Sequence, residues 1–228
     1  MFRFASWTRY RLFATTNRGL YFRGIITASV IPRSPPSYAP REVPTPLVFV
    51  SANSLDPDSG KEMSTLSTML SEKGFTCFQI DLSARDATAS TKEKSHDALI
   101  QECSEQLRSV VRLNAIPFPP VIIARSASCL ISQKYISSYP ATGLVLISPP
   151  KDDDDLEKTG FPTPMNEFIY EPKFPIAVMD TPERVAQLKK DHRLCKDPHP
   201  FVDIVAVTEL EGQPLLQAVD LWLDELGV

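Results

Sequence analysis

Several features that define other protein classes are missing from this sequence of 228 residues. It has no run of about 20 apolar residues, the length that a helix needs to cross a bilayer, so we predict no transmembrane segment. The start of the chain also lacks the apolar stretch of a secretory signal, which argues against secretion. The four cysteines are far apart and form neither a C-x-x-C pair nor a His/Cys spacing typical of metal ligands. We therefore expect buried, reduced thiols, and we predict neither a metal ion nor a cofactor.

Acidic residues are absent from the beginning of the chain. The first 41 residues contain no aspartate, glutamate or lysine, and the first carboxylate is Glu42. The same segment contains seven arginines, namely Arg3, Arg9, Arg11, Arg18, Arg23, Arg33 and Arg41. An arginine-rich, acid-free start with interleaved aromatic residues predicts a mitochondrial transit peptide, to which we assign residues 1–31. The alternative is a basic arm that binds nucleic acid or anionic lipid.

The rest of the chain is acidic. Subtracting the seven arginine charges from the formal net charge of −4 leaves −11 for residues 42–228. Such a body offers no basic face for phosphate groups, so we do not expect nucleic acid as a direct ligand. The transit-peptide interpretation is therefore favoured, and the predicted location is the mitochondrial matrix.

Prolines separate the basic start from a segment with regular patterning. Pro32, Pro35, Pro36, Pro40, Pro44 and Pro46 predict an extended linker over residues 32–46. Residues 47–228 then alternate short apolar strands with amphipathic helices, which is typical of a mainly parallel α/β sheet with helices on both faces. Residues 151–174 break this pattern with an acidic run and scattered aromatics. We predict a short lid insertion there, with a loop that packs its own aromatics at the domain edge as the alternative.

The segment 121–128 places an apolar strand directly before a serine among small residues, and a helix follows at once. This layout predicts a nucleophile elbow, in which a sharp turn presents the Ser126 hydroxyl at the end of the sheet. The two glycines of the G-x-S-x-G motif are Ala124 and Ser128 here. A small residue in a tight structural turn is the alternative for Ser126.

The order of elements around this elbow resembles the α/β-hydrolase superfamily over roughly residues 45–228. The resemblance implies a triad of Ser126, an acid after a later strand and a histidine after the last strand. Asp180 stands at the acid position, although the sequence from Asp180 to Glu183 is also a good helix start.

The resemblance also implies two donors for an oxyanion. One is the N–H of Ala127, at the start of a helix. The other would come from the loop after the first predicted strand, which contains Ala52 and Asn53, and Asn53 could donate from its side chain.

Gln213 occupies the position at which the resemblance implies the triad histidine. Glutamine has no titratable nitrogen and cannot accept the serine proton, so we predict a broken triad. The three histidines, His96, His192 and His199, all precede the last predicted strand. We do not expect any of them to serve Ser126.

Three functions are compatible with this sequence. The first is a mitochondrial hydrolase-like protein that is weakly active or non-catalytic and keeps a ligand or partner site. The second is an active serine esterase or thioesterase that uses Ser126 on a small acyl or ester ligand with an unexpected base. The third is an assembly or scaffold subunit whose acidic body attracts a basic mitochondrial protein partner. Arg125 is a candidate to bind an acidic ligand, or to pair with Asp81 or a glutamate in a neighbouring loop.

Overall fold

A computed structural model describes residues 26–84, 95–114, 116, 118–166 and 168–228. The strands are β1 (Ile26–Arg33), β2 (Val43–Ser51), β3 (Phe75–Ala84), β4 (Val121–Arg125), β5 (Gly143–Ile147), β6 (Ile176–Asp180) and β7 (Val202–Ala206). The helices are α1 (Met63–Glu72), α2 (His96–Leu113), α3 (Ser128–Ile136), α4 (Asp153–Leu156), α5 (Pro182–Asp191), α6 (Arg193–Lys196) and α7 (Gly212–Leu226). A 3-10 turn at Pro57–Gly60 follows β2.

The strands form a seven-stranded sheet in the order β1-β3-β2-β4-β5-β6-β7. β1 runs antiparallel to β3, and the other neighbouring strands are parallel. This arrangement confirms the predicted α/β class with a mainly parallel sheet. It also brings the carboxyl ends of β4, β5 and β6, and the loops that follow them, to one edge of the domain.

Helices cover both faces of the sheet, as predicted. Successive side chains of a strand point to opposite faces, so Val48 and Val50 pack with α2 and α3, while Leu47 and Phe49 pack with α1 and α7. All four side chains are fully buried. Burial on both faces explains why the strands are continuously apolar in the sequence.

The folded domain begins earlier than the sequence indicates. β1 pairs with β3 from Ile26 opposite Ala84 to Arg33 opposite Cys77, and Ala28 and Val30 are buried. The predicted ends of the transit peptide (1–31) and of the linker (32–46) do not match this structure, because both segments contribute residues to the sheet. Residues 1–25 lie outside the described residues, so the structure does not test the prediction that they belong to a transit peptide.

Local side chains set the beginnings of the helices. The hydroxyl of Ser95 accepts a hydrogen bond from the first turn of α2, and the hydroxyl of Thr181 does the same for α5. Pro182 lies in the first turn of α5, where a missing N–H costs nothing. The cap of α5 is therefore Thr181 and not Asp180, which leaves the Asp180 side chain for other contacts.

The insertion between β5 and β6 packs against the domain. Leu156 and Phe161 are buried in the core, and the N–H of Gly160 donates to the carbonyl of Leu55 at 2.6 Å. Asp155 forms an ion pair with Arg184 of α5. The predicted insertion is thus held by apolar contacts, a main-chain hydrogen bond and an ion pair.

The cysteines are free and buried, as predicted. Burial raises the pKa of the Cys77 and Cys195 thiols to about 12, so little reactive thiolate forms at neutral pH. In the described part of the chain, no helix is both long enough and apolar enough to span a bilayer.

Candidate active site

Ser126 lies in a sharp turn between β4 and α3. Its φ of +53° falls in the left-handed region that residues with a Cβ rarely adopt. The N–H of Ser126 donates to the carbonyl of Ile147 at 2.9 Å, and the carbonyl of Ser126 accepts from the N–H of Cys129 at 3.0 Å. The residue is half-buried. This strained strand-to-helix turn has the geometry of a nucleophile elbow.

Ser128 stands at the second glycine position of the motif and supports the turn. It is fully buried, and its hydroxyl accepts from the N–H of Arg125 at 3.1 Å. The same oxygen lies 3.0 Å from the carbonyl of Val50 and 2.7 Å from the carbonyl of Arg125, and its one proton is donated to one of them at a time. Ser128 therefore ties the elbow to the neighbouring strand β2.

The N–H of Ala127 is directed at a side chain of the protein itself. It donates to Oδ2 of Asp56 at 2.9 Å, while Oδ1 of Asp56 accepts from the N–H of Asp58 at 3.0 Å. Asp56 is only 3% exposed. In a serine hydrolase, the N–H of the residue after the nucleophile stabilises the oxyanion. Here a carboxylate oxygen is hydrogen-bonded to that donor instead.

The other two predicted oxyanion donors are also engaged. The N–H of Ala52 donates to Oγ of Ser59 at 2.9 Å, and the N–H of Asn53 donates to Oδ1 of Asp81 at 2.9 Å. The Asn53 side chain lies so close to Gly60 that a Cβ there would come within 1.9 Å of its Oδ1. The main-chain N–H groups of Ala127, Ala52 and Asn53 therefore all have acceptors within the protein.

Asp180 ends β6 and is 1% exposed. Its Oδ1 accepts from the N–H of Thr181 at 2.8 Å, and its Oδ2 lies 3.9 Å from Nε of Arg184. Burial raises the pKa of the carboxyl above its usual range, although the Thr181 N–H, Arg184 and the nearby Ser148 act in the opposite direction. Among the described residues, Oδ2 has no partner that meets full hydrogen-bond geometry. The predicted acid is thus buried at the end of β6, with one main-chain hydrogen bond and a long ion-pair contact to Arg184.

Gln213 lies in the first turn of α7 and is exposed. Gly212 before it has a φ of +62°, and its N–H donates to Oε2 of Glu62 at 3.3 Å. The position after the last strand therefore presents a side-chain amide to solvent, and an amide cannot act as the general base of a triad.

The three histidines make their ring contacts with other parts of the domain. Nδ1 of His96 lies 2.6 Å from the carbonyl of Pro162 in the insertion. Nδ1 of His192 lies 3.5 Å from Sγ of Cys195, and Nδ1 of His199 accepts from the N–H of Phe201. Burial, with smaller contributions from nearby arginines, lowers the pKa of His192 to about 4. His192 is therefore neutral at physiological pH.

Arg125, at the end of β4, connects the elbow to the loop between β7 and α7. The residue is 8% exposed, and its Nη1 donates to the carbonyl of Leu210 at 2.6 Å. Asp81, the partner that the sequence suggested, instead accepts from the hydroxyl of Ser51 and the N–H of Asn53. An acidic ligand at Arg125 stays a prediction.

Comparisons of the sequence find no match: no protein-family model and no curated protein matches this chain. Comparison of the structure does find similar proteins. An α/β serine hydrolase homologue from Coxiella burnetii is 14% identical with a TM-score of 0.58, over 94% of this chain and 99% of that one. The chain has an α/β-hydrolase-like fold.

Two further structures support the same fold. A soluble variant of monoglyceride lipase from Saccharomyces cerevisiae, in complex with a substrate analogue, is 10% identical with a TM-score of 0.57, over 96% of this chain and 97% of that one. An α/β serine hydrolase without a lid from Xanthomonas campestris is 17% identical with a TM-score of 0.51, over 86% of each chain. At these identities the likeness establishes the α/β-hydrolase-like fold and not the activity.

The insertion of this α/β-hydrolase-like domain borders a cavity of about 250 Å³. Its walls include Leu130 and Gln133 of α3, Met165 and Phe168 of the insertion, and His192 and Arg193 at the α5–α6 junction. Ser126 and Asp180 do not line this cavity. The predicted lid therefore lines a cavity beside α3, and the predicted catalytic residues are not part of that cavity. Within the described ranges, no group of three or more His, Cys, Asp or Glu residues could hold a metal ion.

Asp56 is the residue of this site that sequence reasoning missed. Its local signal, an aspartate before Pro57, indicates only a helix cap, a role that Asp56 does have at the 3-10 turn. The contact with Ala127 joins residues 71 positions apart. Only the folded arrangement of β2 beside β4 brings them together.

Proposed function

We propose that this chain is a mitochondrial α/β-hydrolase-like protein that does not hydrolyse esters and acts by binding a ligand or a protein partner. The observation that carries the proposal is the hydrogen bond from Ala127 N–H to the buried carboxylate of Asp56.

The chemistry of acyl transfer explains why this contact opposes catalysis. Attack by a serine moves negative charge onto the carbonyl oxygen of the substrate, and the enzyme must supply N–H donors to that oxygen. Loss of a single donor in a serine hydrolase costs about 10²–10³-fold in kcat. Here the donor of Ala127 is already bound by Asp56, whose own charge would repel a second anion at that place.

The residue at the predicted histidine position gives the proposal a second support. Gln213 cannot take the proton of Ser126, and a serine hydroxyl without a base is a poor nucleophile. Two independent requirements of the reaction are therefore unmet. This combination favours a binding role over the alternative of an active esterase or thioesterase.

Reaction with a fluorescent fluorophosphonate, which labels activated serines, tests the loss of catalysis. We expect purified full-length protein to show no labelling above that of the Ser126→Ala variant, while an active serine hydrolase in the same tube is labelled. Labelling that disappears in Ser126→Ala would overturn the proposal and support a serine esterase or thioesterase.

The mitochondrial part of the proposal rests on the arginine-rich, acid-free start of the chain. Because β1 begins at Ile26, the segment to test is residues 1–25. We expect this segment, fused to a fluorescent protein, to direct it to mitochondria. A matched fusion with every arginine of the segment changed to glutamine serves as the control. Cytosolic fluorescence of the unchanged fusion would contradict the assignment.

A further inference from the structure

Strand β7 forms an open edge of the sheet. Among the described residues it is the last strand in the order, and its one partner strand is β6, on its inner side. The carbonyl of Phe201 and the N–H of Val207 are bonded to β6. Since main-chain groups of alternate residues point to opposite sides of a strand, those of Ile204 and Ala206 point outward. In the described part of the chain, these outward groups have no main-chain partner.

Strand β7 has few of the usual protections of an edge strand, and its one charged residue, Asp203, accepts a hydrogen bond from Nε1 of Trp222 at 3.0 Å. Exposed edges in proteins are commonly blunted by lysine, proline or a bulge. The strand reads Val-Asp-Ile-Val-Ala and has neither lysine nor proline, and its register with β6 is regular. The backbone is therefore in a conformation that can accept a further strand.

A groove of about 550 Å³ runs beside this edge between β7 and helix α7. Its floor includes Val205, Ala218 and Trp222, which lie on the α7 face of the sheet, and Leu221 stands at its side with 56% of its surface exposed. A peptide strand beside β7 would place alternate side chains against these apolar groups. The groove thus offers main-chain hydrogen bonds together with apolar contacts.

The charge of this region selects the kind of peptide. Asp203 and Glu225 are the charged residues that line the groove, and Glu209 and Glu211 lie in the loop between β7 and α7. The sequence from residue 201 to the end contains no lysine or arginine. A basic segment would therefore be attracted to the groove, and an acidic one repelled.

We propose that the groove between β7 and α7 binds a basic segment of a partner protein in extended conformation, which adds a strand to the sheet at β7. A second copy of this chain fits less well, because two acidic grooves that met edge to edge would repel each other.

This surface is separate from the elbow. Three strand spacings separate β7 from β4 in the sheet order, about 14 Å. The groove would be a specific surface for the binding role proposed above, and separate experiments test the groove and the loss of catalysis. Fluorophosphonate labelling of Ser126 would end the proposed function without affecting the groove.

Fluorescence anisotropy with a short synthetic peptide in which lysine and valine alternate tests the groove directly. We expect saturable binding that weakens with added salt, and no binding of the matched peptide in which glutamate replaces lysine. A lysine–valine peptide that is N-methylated at alternate residues cannot form one row of strand hydrogen bonds. It should bind at least about tenfold more weakly. Equal binding of the methylated and unmethylated peptides would overturn strand addition.

Two substitutions locate the binding to this groove. Glu225→Lys reverses a lining charge and should weaken the affinity about tenfold, whereas the matched change Glu157→Lys, at an exposed residue of the insertion, should leave it within about twofold. Ala206→Pro removes an outward N–H and should abolish binding. If Ala206→Pro fails to fold, Glu225→Lys still decides. Unchanged affinity of the Glu225→Lys variant for the lysine–valine peptide would overturn the proposal. A stable dimer of the free chain whose stability changes with Glu225→Lys would also overturn it, because the groove would then bind a second copy of this chain.

Discussion

The guanidinium of Arg125 donates to the carbonyl of Leu210 at 2.6 Å and so joins the elbow to the loop that leads into α7 and Gln213. The contact is formed by a residue that is 8% exposed. It fixes the relative positions of β4 and the β7–α7 loop, which are distant in sequence.

Replacement of Arg125 should lower the stability of the domain. We expect Arg125→Met to reduce the free energy of unfolding by about 1.5–3 kcal/mol, because a hydrogen bond to a charged group is lost and the Leu210 carbonyl is left without its donor. Urea denaturation followed by circular dichroism measures this change. The matched variant Arg112→Met, at an exposed residue, should stay within about 0.5 kcal/mol of the original chain. Equal effects of the two substitutions would contradict a structural role for Arg125.

Restoring the histidine alone should not restore reactivity at Ser126. In Gln213→His, the donor of Ala127 is still bound to Asp56, so we expect no fluorophosphonate labelling. In Gln213→His combined with Asp56→Ala, both the base and the free donor are present, and slow labelling of Ser126 is expected. Time courses of labelling for the two variants provide the measurement. If the single and double variants react at the same rate, Asp56 does not block the site.

The stability of the domain should depend on pH through His192. Its folded pKa of about 4 lies below the unfolded value of about 6.5, so the unfolded chain takes up the proton first as the pH falls. The resulting contribution to stability is fully present above about pH 6.5 and is lost toward pH 4. Between pH 7 and pH 5 the loss amounts to about 2 kcal/mol.

The raised pKa of Asp180 acts in the opposite direction, because the folded state then binds a proton more readily than the unfolded chain. The His192 contribution is therefore obtained from the difference between the original chain and His192→Gln, measured by urea denaturation at both pH values. We expect a smaller acid-induced loss of stability in His192→Gln than in the original chain. Identical pH dependence of His192→Gln and the original chain would exclude this role.

Removal of β1 should destabilise the sheet. A chain that starts at residue 32 loses the buried side chains of Ala28 and Val30 and most of the pairing with β3. Compared with a chain that starts at residue 26, we expect a loss of about 3 kcal/mol or more from the apolar burial. Thermal unfolding and hydrogen exchange of the β3 amides report this loss. Equal unfolding temperatures of the two chains would mean that β1 is not part of the stable domain.

The parts of the fold that depend on local signals follow from the sequence. The spacing of apolar residues predicts a helix over 97–113, and α2 spans His96–Leu113, because the period of its buried face and the Ser95 cap are both local. The same holds for the elbow, where an apolar strand, small residues and a helix follow directly in the chain. The strand β1 has no such signal, since Pro32 lies within it, further prolines follow, and its partner β3 lies about 50 residues away.

The state of the candidate site could be predicted only in part. Gln213 at the histidine position is visible in the sequence, and so is Asp180 at the end of its strand. The engagement of Ala127 by Asp56 and of Ala52 by Ser59 depends on the conformation of the loop after β2. No periodicity or spacing describes that loop, because its hydrogen bonds join side chains to the main chain of distant residues.

The strained backbone at Ser126 bears on how relatives of this chain would be recognised. A non-glycine residue at a φ of +53° costs of order 1–3 kcal/mol, whereas glycine adopts this conformation freely. In the non-catalytic role that we propose, no proton transfer depends on the hydroxyl, so the serine itself can change between relatives. Asp56 and Ser128, by contrast, hold the turn together through their hydrogen bonds. Sequences descended from the same ancestor should therefore share an aspartate after the first parallel strand and a hydroxyl at the last position of the elbow, even where the serine has changed.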